Sequence, residues 1–151
     1  MKISEILNDK NGEIYSVVDS VMLCDVIAEL NEKNVGALMV LDSSGEVAGI
    51  VSERDILKKA CPNHLDNDEI PVSSIMTPRE RLIVGTPDDT ISYVMNVMTN
   101  KKVRHLPIFQ NEKLLGIISI GDIIKIFLEQ SETEVKKLRE HIRNPYGINA
   151  L

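Results

Sequence analysis

The chain is written twice. Gly49-Ile50-Val51-Ser52-Glu53-Arg54-Asp55-Ile56-Leu57-Lys58 returns as Gly116-Ile117-Ile118-Ser119-Ile120-Gly121-Asp122-Ile123-Ile124-Lys125, with Gly, Ile, Ser, Asp, Ile and Lys in register. An internal repeat constrains architecture more than any local pattern, because each copy must solve the same packing problem. Upstream, Val35-Gly36-Ala37-Leu38-Met39-Val40 matches Val103-Arg104-His105-Leu106-Pro107-Ile108, and Ile3-Ser4-Glu5-Ile6-Leu7 matches Val72-Ser73-Ser74-Ile75-Met76. Length differences fall in turns, such as residues 42–46 against the shorter 110–113.

Periodicity reads alike in both copies. Leu23, Val26, Ile27 and Leu30 recur at helical spacing in the first, and Ile91, Val94, Met95 and Met98 in the second. A strand, a polar turn and a second strand (47–51 and 114–118) follow, then a second helix opening at Ser52 or Ser119. With short strands at 14–18 and 81–84, each copy is β-α-β-β-α, and the fold class is α+β. A unit of roughly 60 residues is too small to be comfortable alone, so two copies are expected to pack sheet to sheet with a cleft between them. The expected divisions are 1–60, a polar linker at 61–70, 71–128, and a C-terminal helix and tail at 129–151. In the tail, Val135, Leu138 and Ile142 form a helical stripe that either packs on its own chain or meets a partner subunit, and Asn144-Pro145-Tyr146-Gly147 ends it.

Composition narrows the function. A 151-residue chain that is 43% hydrophobic can bury a core, while a formal charge of −6 argues against binding nucleic acid, whose affinity comes largely from Lys and Arg neutralising phosphates. No apolar run approaches the ~20 residues of a membrane span, and no secretory leader is visible. With two cysteines, Cys24 and Cys61, the expectation is a soluble protein of the reducing cytoplasm. Gly-x-Ser-x-Gly, Gly-x-Gly-x-x-Gly, Walker and His-Glu-x-x-His motifs are missing, so no catalysis is expected. Cys61-Pro-Asn-His64 offers two metal-type ligands without a second pair and reads as linker, so no metal is expected.

The doubled Gly-hydrophobic-hydrophobic-Ser-x-x-Asp, the Arg-His-Leu-Pro-Ile segment and the phrase Val-Ser-Ser-Ile-Met-Thr-Pro at 72–78 together resemble the tandem cystathionine-β-synthase-type (CBS) domain pair, over residues 1 to about 128. The resemblance implies an adenine nucleotide (AMP, ATP or NAD(H)) held between the copies. The Ser and Asp of the repeated motif would take the ribose hydroxyls, and the preceding strand would read the adenine edge. Ser52 and Asp55 would then serve one site, and Ser119 and Asp122 the other, with Val35, Gly36, Ala37 and Pro107 on the neighbouring strands. The resemblance also implies a homodimer and an effector protein on which the module acts.

The residues themselves leave alternatives open. Ser-x-x-Asp before an apolar helix is also a capping box. In Lys101-Lys102-Val103-Arg104-His105, Arg104 and His105 suit phosphate contact, while the lysines equally suit a helix C-terminus. Thr86 is either a hydroxyl near the ligand or a helix-entry residue before Pro87, and Arg54 either reaches a phosphate or stays in solvent. Because the first copy has Val18, Gly36 and Ala37 where the second has Thr86, Arg104 and His105, the Ser119–Asp122 site is expected to be the better equipped. The competing function is a structural dimerisation module with an empty cleft.

Overall fold

The computed structural model describes residues 1–10, 12–60 and 66–143. The order is α1 (Ile3–Asp9), β1 (Ser16–Val18), α2 (Leu23–Lys33), β2 (Ala37–Leu41), β3 (Val47–Ser52) and a short α3 (Glu53–Asp55) that runs into a π-helical turn over Ile56–Ala60. The second half holds a 3-10 turn at Val72–Ser74, β4 (Thr77–Pro78), another at Arg79–Arg81, α4 (Ile91–Lys101), β5 (His105–Gln110), β6 (Lys113–Ser119) and α5 (Ile120–Arg143). One sheet has the order β1-β2-β3-β4, with β1 parallel to β2 and the other pairs antiparallel; β5 and β6 form an antiparallel pair. The architecture is mixed α+β, as the repeat implies.

Residues 81–84 do not form the expected strand. Arg81 closes a 3-10 turn, and the pairing reduces to a parallel bridge from Gly85 to Ile108. Gly85 spends its N–H on Pro107 O (2.9 Å) and its carbonyl on Phe109 N–H (2.9 Å), and Pro87 two residues on has no N–H with which to continue the ladder. The first strand is likewise shorter than 14–18, and the linker residues 61–65 and the Asn144–Gly147 end of the tail lie outside the described residues.

The hydrophobic cores do not follow the boundary between the copies. Leu23, Val26 and Leu30 of α2 and Leu38, Val40 and Val51 of the sheet are joined by Ile70 at the end of the linker and by Val72 and Ile75, which open the second copy. Conversely Ile91, Val94 and Met98 of α4 pack with Leu106, Ile108, Ile118 and Ile123 around Ile3 and Ile6 of α1. The exchange is pinned by equivalent hydrogen bonds. Leu23 N–H meets Ile70 O at 2.8 Å and Ile91 N–H meets Met1 O at 3.4 Å, while Val72 N–H meets Val21 O at 2.9 Å and Ile3 N–H meets Asp89 O at 3.0 Å.

The repeated glycine of the motif has a reason in this exchange. At Gly49 a β-carbon would run into the Thr77 carbonyl oxygen of β4, and at Gly116 it would come 2.7 Å from Leu7 Cδ2 of α1. Each glycine lets the other copy's leading segment lie flat on the second strand. Gly49→Ala should therefore lower stability by about 1–3 kcal/mol, the usual cost of overpacking. Urea unfolding measures it, and an unchanged midpoint would show that β4 can slide away at no cost.

The C-terminal stripe continues α5 without a break. Val135, Leu138 and Ile142 are exposed, and Ile120, Ile124, Phe127 and Leu128 nearer its start are partly exposed beside Met95 and Met98 of α4.

Candidate functional site

Both Ser-x-x-Asp motifs are built as reciprocal caps. Asp55 Oδ2 accepts from Ser52 N–H at 2.9 Å and Ser52 Oγ at 3.0 Å, and Asp55 N–H donates back to Ser52 Oγ at 3.3 Å. Asp122 Oδ2 receives Ser119 N–H at 2.7 Å and Ser119 Oγ at 2.8 Å, and Asp122 N–H reaches Ser119 Oγ at 3.2 Å. The caps fix each carboxylate at the end of a strand, where it is both ordered and half-buried.

What surrounds the two motifs differs. Ser52 and Asp55 sit in a cleft of about 380 Å³, within the size range of small-molecule sites. Its first-copy wall is Gly36, Ile50, Ser52, Glu53, Arg54, Asp55 and Lys58; its other wall is Thr77 with Lys101, Lys102, Val103, Arg104 and His105 from the second copy. Arg54, Lys58, Lys101, Lys102 and Arg104 thus face a space that holds Glu53 and Asp55 as its acids, in a chain whose net charge is −6. The cationic segment is placed by the end of α4, where Lys102 adopts a left-handed conformation (φ 55°) and turns the chain back toward β5. Arg54 Nη1 donates to the Lys102 carbonyl at 3.0 Å, tying the two walls together.

Arg104 and His105 stand between the two motifs. His105 pairs with Ser119 across β5 and β6, and Ile120 N–H meets the Arg104 carbonyl at 2.9 Å, while both residues also line the cleft that holds Ser52 and Asp55. Gly36 faces His105 directly: a β-carbon there would stand 3.1 Å from both Cε1 and Nε2 of the imidazole. Burial pushes the His105 pKa down, against the pull of Glu53 and Asp122 on either side and with Lys10 and Arg104 adding to the fall. His105 is thus held toward its neutral form between the two motifs.

The remaining candidates fall outside this cleft. Thr86 is exposed, and its N–H is held by Asp89 Oδ2 at 2.7 Å in the turn that leads to α4. Pro107 is buried in β5 with its carbonyl engaged by Gly85, Ala37 is buried at the start of β2 opposite Ser52, and Val35 packs against the first core. Ser119 is held by its cap with Asp122, and Asp122 in turn meets Lys10, whose Nζ lies 2.8 Å from Oδ2. Burial opposes ionisation of Asp122, but Lys10 and the Ser119 N–H and hydroxyl outweigh it and hold the carboxyl below the usual carboxylate range.

Three residues at these sites were not singled out in the sequence. Lys58 could have been found from the repeat, since it is paired with Lys125; Thr77 and Lys10 could not, because only the exchange of leading segments brings them to the other copy's motif. Among the described residues no group of His, Cys, Asp and Glu could hold a metal ion, and no helix is long and apolar enough to cross a membrane.

A doubled α+β unit that exchanges its leading segments, repeats a capped Ser-x-x-Asp motif and sets one of the two motifs in a polar cleft defines a class, and comparison with known proteins agrees with it. The CBS domain family matches residues 3–61 and 72–129, and the chain belongs to that family. It is 31% identical over 124 residues to the mitochondrial CBS domain-containing protein CBSX3 of Arabidopsis thaliana, covering 81% of this chain but only 60% of that relative's length. Among solved structures, a putative signal-transduction protein with CBS domains from Burkholderia ambifaria superimposes with a TM-score of 0.80 at 32% identity, over 85% of this chain and 95% of that one. The CBS domain protein PAE2072 of Pyrobaculum aerophilum, complexed with AMP, superimposes with a TM-score of 0.70 at 26% identity, over 81% and 89% of the two chains.

Proposed function

We propose that the chain is a non-catalytic, adenine-nucleotide-binding regulatory module of the cytoplasm that takes AMP, ATP or NAD(H) in the Ser52–Asp55 cleft. The observation that carries this reading is the juxtaposition, across the two copies, of a fixed carboxylate and five cationic side chains. A carboxylate held by a cap keeps acceptor capacity for two vicinal hydroxyls, and Arg104 with Lys101, Lys102 and Lys58 supplies the charge a phosphate needs. Ile50 and Thr77 offer a less polar wall for the base. The AMP complex of PAE2072 supports the ligand class.

The regulatory step would be a population shift. A nucleotide that touches both walls favours the arrangement in which they are close, and by its differential affinity changes what partner the module binds. The exposed apolar face of α4 and α5, with Met95, Ile124, Phe127 and Leu128, supports a homodimer as the unit that shifts. Along α5, Ile124, Leu128, Ser131, Val135, Leu138 and Ile142 alternate in steps of four and three, the spacing of a helix–helix seam.

The test has two parts. Denaturing purified protein and identifying any released nucleotide by mass spectrometry names the ligand without bias. In ligand-free protein, AMP at a hundredfold excess over its dissociation constant should add about 2.7 kcal/mol of stability, as required when a ligand binds only the folded state. If no adenine nucleotide at millimolar concentration moves the unfolding midpoint, the motifs are helix caps and the chain is a structural dimerisation module.

A further inference from the structure

The Ser119–Asp122 motif is met by a side chain of the protein itself. Lys10, at the end of α1, places Nζ 2.8 Å from Asp122 Oδ2 and 3.0 Å from the Ile117 carbonyl of β6. These are the two kinds of acceptor a nucleoside would use at this position: the motif carboxylate and the edge of the preceding strand. The ammonium satisfies both at once.

In the first copy no residue of the exchanged leading segment meets the motif carboxylate among the described residues. By the repeat, Lys10 corresponds to Arg79, which follows β4 as Lys10 follows α1. Arg79 turns away: its Nη1 donates to Val47 O at 3.4 Å and lies 3.8 Å from Glu46. Asp55 is instead met on its other oxygen, Oδ1, by Lys59 from its own helical turn at 3.1 Å. The wall that faces Asp122 from the first copy also lacks the cationic segment, since Gly36 and Ala37 stand where Arg104 and His105 stand opposite Asp55.

We propose that Lys10 is a built-in occupant of the second site, so that the chain binds one adenine nucleotide, in the Ser52–Asp55 cleft, and acquires a second site when Lys10 is removed. The proposal rests on the nucleotide reading above. A ligand entering the Asp122 site must give up a charge-assisted hydrogen bond from Lys10, which weakens it by roughly ten- to a hundredfold. Because that site has no equivalent of Arg104, the second site once opened should not distinguish AMP from adenosine, whereas the first should prefer AMP.

Calorimetric titration of the full chain with AMP and with adenosine tests this, comparing wild type, Lys10→Met and Lys10→Arg. Wild type and Lys10→Arg should bind one AMP per chain. Lys10→Met, which keeps the apolar stem, should bind two, the additional one with AMP and adenosine affinities within about threefold of each other; Lys10→Gln serves equally should the Met variant aggregate. One AMP per chain in wild type and in both neutral variants overturns the role of Lys10 while leaving the nucleotide reading intact, as do two in wild type. Absence of any binding by wild type overturns the nucleotide reading and this proposal with it.

Discussion

Asp55→Ala should weaken AMP binding by roughly ten- to a hundredfold, the largest functional effect expected of a single substitution in the chain. The carboxylate is the acid that the cap holds in place at the cationic cleft, and a hydrogen bond to a charged group is worth about 1.5–3 kcal/mol. The substitution also removes the cap on α3 and the ion pair with Lys59, so about 1 kcal/mol of stability should go with it. Asp122→Ala separates the two roles: it loses the same kind of cap, but Asp122 faces Lys10 rather than the cationic cleft, so AMP affinity should stay within about threefold of wild type. Titration calorimetry alongside urea unfolding decides it. Equal stability losses with AMP affinity unchanged in both variants would reduce the motifs to caps.

Ile3→Ala should cost about 2–5 kcal/mol, a core-sized loss from the third residue of the chain. Residues so close to a terminus are usually dispensable unless they are tied down. Ile3 is tied down twice: its side chain is fully buried among Ile91, Val94, Leu106 and Ile118, and its N–H is bonded to Asp89 O. The denaturant midpoint should fall without a change in the cooperativity of the transition, because the second copy's core is what has been damaged. A loss below 1 kcal/mol would mean that α1 does not complete that core.

Much of the fold was legible because the repeat supplies two readings of every element. The buried positions of α2 and α4, Leu23, Val26 and Leu30 and then Ile91, Val94 and Met98, follow the period of an amphipathic helix, whereas Met95, which shares that spacing, lies on the exposed face. Residues 81–84 look like a strand because Leu82-Ile83-Val84 is apolar, and nothing in that stretch marks the 3-10 turn at Arg79–Arg81 that leaves only the Gly85 bridge to pair. The Ser52–Asp55 and Ser119–Asp122 motifs were legible for the same reason as the helices. Their surroundings were not. Chain order puts Arg104 and His105 beside the Ser119–Asp122 motif, and strand pairing keeps His105 there, but that the same two residues also line the Ser52–Asp55 cleft is set by three-dimensional packing, and Ile3 or Val72 carries no mark of which core it enters. Lys10 is a single lysine after a helix, with no pattern to distinguish it from a solvated one.

The reciprocal loan of leading segments bears on what the two halves are free to become. One copy by itself would leave Ile70, Val72 and Ile75, or Ile3 and Ile6, without the surface they cover, whereas two separate identical copies would close each other's cores as a symmetric pair. Fusing such a pair into one polypeptide turns a concentration-dependent association into an intramolecular one. It also lifts the requirement of identity: in a pair of equal subunits any residue appears at both sites, but in a single chain one half can carry Lys101 to His105 while the other carries Lys10, so two sites of like construction can differ in what they meet.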